Sequence, residues 1–122
     1  MSKTLFLFNN AGKLSLVPIL DCSVEEFTET MNVNVTSAFV LTKLVAPVMK
    51  EKGEGHIINT SSVAGCAAHW GPVAYSTSKH AMNGLTKAMA NELGPEIHVN
   101  GIQKDSSFID GQLIRVDGGV DI

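Results

Sequence analysis

The chain has 122 residues, of which 44% are hydrophobic and 17% charged, with a formal net charge of −3. Length allows one domain, and the composition is that of a globular chain rather than a disordered one. A lone arginine (Arg115), scarce aromatics and the absence of a basic run argue against nucleic-acid binding.

Thr4 to Phe8 is a short apolar run ending in Asn9-Asn10-Ala11-Gly12, which reads as a buried parallel strand and its exit turn. A loop containing Pro18 follows. Ser23 with Glu26 three residues on is a capping-box pattern. From there Phe27, Met31, Val35, Ala38, Thr42, Val45 and Met49 recur at helical spacing, with Phe39 and Val48 expected to widen the stripe. Pro47 is expected to distort the last turn, and Gly53 and Gly55 to end the element. This places a long helix near 24–50.

His56 to Thr60 reads as a second strand, with a loop over Ser61 to Pro72. A second long helix is expected over 73–93, stopped by Gly94 and Pro95. Gly84, in its middle, suggests a close approach by another helix. Strands are expected near 97–100 and 112–116. Strand-helix-strand-helix-strand is the pattern of an α/β parallel sheet with right-handed crossovers. Only eleven residues, 101–111, join the last two strands. That is short for a parallel crossover, so an extended crossing, an antiparallel pairing and a loose docking all stay open.

Tyr75 and Lys79 stand four apart on the second long helix and share one face. An ammonium beside a phenol favours the phenolate, which lets a tyrosine exchange a proton with a hydroxyl or carbonyl near neutral pH. Ser62 falls just past the second strand, at the sheet end where open parallel sheets bind ligands. Asn34 lies mid-helix, where asparagine is unfavourable unless its side chain has a task, such as holding a backbone carbonyl or a relaying water. Taken singly, each has an ordinary structural use; their joint placement after consecutive strands is what points to chemistry.

With these motifs in view, the chain resembles the short-chain dehydrogenase/reductase family, in particular classical members of the 3-oxoacyl-ACP-reductase-like and sugar or polyol dehydrogenase kind. Asn9-Asn10-Ala11-Gly12 is similar to the family's NNAG turn. Met31 to Thr36 is similar to the segment carrying its catalytic asparagine, and Gly55 to Ser62 to its fifth strand and catalytic serine. Tyr75-Ser76-Thr77-Ser78-Lys79 matches YxxxK, and Val116-Asp117-Gly118-Gly119 a common C-terminal segment.

The resemblance implies a partial Rossmann-like parallel sheet with flanking helices, forming a single domain over residues 1–122. It implies hydride transfer between NAD or NADP and an alcohol or carbonyl. Tyr75 would be the acid/base, Lys79 its partner and a ribose ligand, Ser62 the group orienting the substrate oxygen, and Asn34 the support of a proton relay. Asn10, Ala11 and Gly12 would line the cofactor cleft, with Asn9 structural. It also implies a homo-oligomer formed through the two long helices.

Compared with the family pattern, the Gly-rich N-terminal dinucleotide-binding half is lacking, and a deletion follows Asn100. The first strand is therefore expected to be a bare apolar edge. A catalytically inactive fragment, associating with itself or with a full-length relative, is the alternative expectation. Cys22 and Cys66 lack metal-ligand spacing, and the four histidines form no zinc signature, so no metal is expected. The first eight residues are too short an apolar stretch for a signal peptide or a membrane span, and the expected location is the cytoplasm, without a membrane partner.

Overall fold

The structure is a computed structural model and describes residues 4–62, 72–104 and 113–117. Its elements are β1 (Phe6–Asn9), α1 (Val24–Met31), a π-helical turn (Asn32–Thr36), α2 (Ser37–Lys52), β2 (Gly55–Ser62), α3 (Val73–Leu93), β3 (Ile97–Lys104) and β4 (Leu113–Asp117). The sheet order is β1-β2-β3-β4. The first three strands are parallel, pairing Leu7 with Ile57 and Ile57 with Val99. β4 closes the sheet antiparallel, with Gly101 opposite Val116. Of the pairings left open by the sequence, the antiparallel one is realised, and it needs no crossover.

Strands β1, β2 and β3 step across the sheet in one direction. Right-handed crossovers then put α1–α2 and α3 on the same face. The core lies between that face and the helices: Ala46 and Met49 from α2, Ile57 from β2, Met89 and Ala90 from α3, and Ile97 and Val99 from β3. Leu5, Leu7 and Leu85 pack around it. The alternate residues of the strands point the other way. Phe6 and Phe8 are 67% and 53% exposed. Phe6, His56 and His98 stack in register across three strands, with ring centroids 4.9 and 5.3 Å apart. His98 is thus a surface packing residue.

The helix starts and stops have local causes. The Glu26 amide donates to Ser23 Oγ at 3.0 Å, capping α1. Half of the expected capping box forms, because the Glu26 carboxylate is held by Lys13 instead, 3.1 Å away. Gly53 ends α2 in the left-handed region at φ 87°, donating to the Met49 and Lys50 carbonyls. Pro47 sits inside α2 without ending it. The irregularity comes earlier, in the wide turn over Asn32–Thr36, which carries the mid-helix Asn34.

Three expectations are corrected. Phe39 and Val48 do not widen the buried stripe; they are half exposed on the outer side of α2, since the stripe facing the sheet is the narrower set Ala38, Thr42, Ala46 and Met49. β2 continues through Ser61 and Ser62, because β3 runs on to Lys104 and supplies backbone partners for both. Gly84 meets no other helix among the described residues of this chain: a Cβ there would have nothing within 4 Å.

The two informative glycines give opposite predictions. At Gly55 a Cβ would collide with the Cβ, Cγ and Sδ of Met49, which is fully buried. Gly55→Ala should therefore destabilise the fold by about 1–3 kcal/mol. Gly84→Ala, in an exposed helix interior, should stabilise it by about 1 kcal/mol. Urea titration of both variants checks the pair, and a loss of stability at Gly84 would show that another surface closes on that residue.

Candidate active site

The carboxyl end of β1 runs into an exposed turn, Asn10-Ala11-Gly12. Two buried side chains anchor the strand just before it. Asn9 Nδ2 donates to Asn59 Oδ1 at 2.8 Å, and Asn59 Nδ2 donates to Thr86 Oγ1 at 3.0 Å. Thr86 in turn donates to the Met82 carbonyl at 2.8 Å. This ladder ties β1 to β2 and β2 to α3 through the core, where an unpaired amide would cost about 1–3 kcal/mol. Asn9 therefore has a structural place beside the exposed Asn10.

Asn34 is fully buried in the π-helical turn. Its Oδ1 accepts the Lys13 amide, and its Nδ2 donates to the Lys13 carbonyl at 2.9 Å and to Ser78 Oγ at 2.9 Å. One side chain thus clasps the backbone just after the Asn-Ala-Gly turn, as a strand would. The Lys13 side chain reinforces the clasp from outside, reaching Glu26 at 3.1 Å and Glu29 at 3.0 Å. Glu29 and then Glu26 raise the Lys13 pKa above its ordinary value, and Lys13 holds the Glu26 carboxyl below its own.

Tyr75 and Lys79 lie on α3, with the Lys79 side chain reaching Gly12 of this turn. The Lys79 ammonium is 5.6 Å from the centre of the Tyr75 ring. Lys79 is 6% exposed, and burial pushes its pKa down. A Cβ built on Gly12 would stand 3.7 Å from Lys79 Nζ and 3.9 Å from Asn34 Oδ1. The structure therefore brings together Tyr75, Lys79, Asn34 and Gly12, with Ala11 and Asn10 continuing the turn outward. Ser62 is the last residue of β2, opposite Lys104 of β3. Its side chain lies outside the described residues, as do Cys66 and His69.

The sequence profile of the short chain dehydrogenase family matches residues 2–105. The chain belongs to this family. Carbonyl reductase [NADPH] 2 of Sus scrofa is 44% identical over 98 residues, covering 79% of this chain and 40% of its own length. A 3-alpha-(or 20-beta)-hydroxysteroid dehydrogenase of Mycobacterium tuberculosis is 43% identical over 97 residues, with 79% and 37% covered. Among solved structures, 4-hydroxyisoleucine dehydrogenase complexed with NADH and succinate superposes with a TM-score of 0.75 at 40% identity, covering 79% of this chain and 46% of that one. The bulky-bulky ketone specific alcohol dehydrogenase of Comamonas testosteroni gives 0.77 at 28% identity, covering 82% and 40%. The fold is thus the Rossmann-like α/β sheet of short-chain dehydrogenases, and the chain spans about two fifths of the length of the relatives it matches.

Around this candidate site, sequence reading missed Ser78, Lys13 and the Asn59–Thr86 pair. The two serines of Tyr75-Ser76-Thr77-Ser78-Lys79 look alike in sequence, yet Ser78 is the one that meets Asn34. A polar residue one step from the buried lysine, in the second turn of a helix, was the available signal.

Lys79 also sets a pH dependence. Its folded pKa lies below the ordinary lysine value, so the folded chain gives up this proton before the unfolded chain does. Stability attributable to this residue should rise with pH from the lowered value up to the unfolded one, because the unfolded state then binds more protons. Replacing Lys79 by Met removes that slope. The stability gap between Lys79→Met and the parent should shift in the parent's favour between neutral and alkaline pH, as read by denaturant midpoints; a gap independent of pH would refute it.

Proposed function

We propose that the chain carries the catalytic segment of an NAD(P)-dependent oxidoreductase that moves a hydride between the cofactor and an alcohol or carbonyl substrate. The observation that carries this reading is the placement of a buried lysine beside Tyr75, against the Asn34-clasped turn, at the carboxyl end of parallel strands. Open parallel sheets bind their ligands at that end.

The residues present fit a nicotinamide cofactor. Asn10, Ala11 and Gly12 are exposed, and the absent Gly12 side chain leaves backbone open beside Lys79 Nζ. Lys79 would hydrogen-bond the nicotinamide ribose. When bound, the nicotinamide ring supplies or accepts the hydride. In reduction, the Tyr75 phenol would give its proton to the substrate oxygen, and in oxidation the phenolate would take it back. The Lys79 ammonium would favour the phenolate by direct attraction, which strengthens as water is withdrawn from the pair. Ser62, at the end of β2, would hydrogen-bond and orient the same substrate oxygen. Asn34 would hold the turn and support the path by which protons are resupplied to Lys79. The family pattern places the pyrophosphate at a Gly-rich turn that this sequence does not contain, so tight binding would draw on more than these residues.

Tyr75→Phe should lower hydride transfer by about 10²–10⁴-fold, the contribution of a positioned acid/base. The measurement is nicotinamide absorbance during turnover with simple ketones and secondary alcohols. Retention of full rate, or failure of titrated NADH and NADPH to bind, would exclude this reading.

Self-association through the long helices is part of the same proposal. The outer side of α2 exposes Phe39, Val40, Leu41, Leu44 and Val48. A groove of about 210 Å³ runs between α2 and α3, lined by Phe39, Leu85 and Ala88 among others. The helical run Val24–Lys52 is long and apolar enough to cross a membrane by length and composition. We read it instead as a packed helix, since Ala38, Thr42, Ala46 and Met49 form a continuous buried stripe. Leu44→Glu should then convert a dimer or larger assembly to monomer in sedimentation; a parent that already sediments as a monomer defeats the proposal.

A further inference from the structure

We propose that Ser78 is a positioning residue of the reaction centre, setting the place of Tyr75 and Lys79 through Asn34. The inference rests on the oxidoreductase reading and deepens it. Ser78 is fully buried in the second turn of α3. A buried serine in a helix ordinarily satisfies its hydroxyl by bonding back to the carbonyl four residues earlier. Its neighbours in this fold do so: Thr86 donates to Met82, Thr30 to Glu26 and Ser37 to Val33. Ser78 makes the three-residue form of the same bond and adds a second, long-range one. Its Oγ donates to the carbonyl of Tyr75, three residues back, at 2.8 Å. Its oxygen accepts the Asn34 amide at 2.9 Å.

The result is a continuous chain of bonds from the Lys13 backbone through the Asn34 amide and the Ser78 hydroxyl to the Tyr75 backbone. One end carries the turn proposed to line the cofactor. The other carries the proton donor, with Lys79 adjacent to the link. Proton and hydride must reach one substrate in a common geometry, and small displacements of either group are expensive in rate. Ser78 touches neither substrate nor cofactor in this scheme. Removing its hydroxyl leaves an Asn34 N–H buried without a partner and frees the two segments to shift against each other.

The test uses Ser78→Ala, Asn34→Ala, the double variant and the exposed-residue control Thr77→Ala. In Ser78→Ala, kcat should fall about tenfold while the cofactor KM changes by less than about twofold, the signature of lost alignment rather than lost binding. The double variant should be no slower than Asn34→Ala alone, because Ser78 acts through that residue. Losses that multiply, or a Ser78→Ala enzyme at full rate, overturn the proposal.

A second readout is independent of turnover. Tyr75 is the chain's sole tyrosine, so its ring gives one set of NMR signals. These signals and the Asn34 side-chain amide should both move in Ser78→Ala and stay in place in Thr77→Ala. If the parent shows no hydride transfer, the oxidoreductase reading fails and these signals decide the positioning role alone; unmoved signals reject it. Should Ser78→Ala fail to fold, Ser78→Cys is read in the same way, its thiol being a weaker partner in a similar volume.

Discussion

The arrangement of the site depends on the saturation of one buried amide. Asn34 uses its oxygen and both amide protons on partners from two other segments of the chain. A side-chain amide buried with any of these unmet would be strongly destabilising. The network therefore forms as a unit, and it fixes the turn after β1 against α3. The widened helical turn over Asn32–Thr36 has a place in this account. It carries the residue that must face inward toward two elements at once, at the junction where α1 ends and α2 begins. Turns of this kind occur often at functional sites.

Topology supplies the complementary constraint. Because β1, β2 and β3 advance in one direction, both helical segments lie on one face. The covered face receives Leu7, Ile57 and Val99, together with the Asn9–Asn59–Thr86 ladder. The other face carries Phe6 and Phe8 on an edge strand, with the Phe6–His56–His98 stack beside it. An apolar face and a free strand edge of this kind favour further burial. The candidate site opens at the carboxyl end of the same strands, beside that face.

Much of this was legible in the sequence, for reasons that differ by residue. The Ser23 cap, the Gly53 stop and the apolar runs of β1 and β2 are local signals whose physics acts over a few residues. Helical spacing puts Tyr75 and Lys79 on one face, and they were legible as a candidate site only together with Ser62, Asn34 and the family motifs around them. The direction of β4 was not, since the sequence placed the end of β3 at Asn100 rather than Lys104 and left a short connection compatible with several pairings. Phe39 and Val48 were misassigned because a broad apolar stripe satisfies both a core face and an outer face; hydrophobicity does not say which neighbour a side chain meets. Ser78 was overlooked because its importance comes from Asn34, forty-four residues earlier in the chain.

The electrostatics of Lys79 link these levels. Burial alone disfavours its ammonium and lowers its pKa. A neutral Tyr75 ring at 5.6 Å offsets part of that cost, with such contacts contributing about 0.5–2 kcal/mol. A phenolate in the same place would offset far more, because attraction between opposite full charges exceeds that between a charge and a quadrupole, and does so most where water is excluded. Holding the lysine at that depth is a matter of backbone placement, which returns to the bonds of Asn34 and Ser78. The buried polar network and the proposed proton chemistry are in this sense one construction, because loosening the first admits the water that would weaken the second.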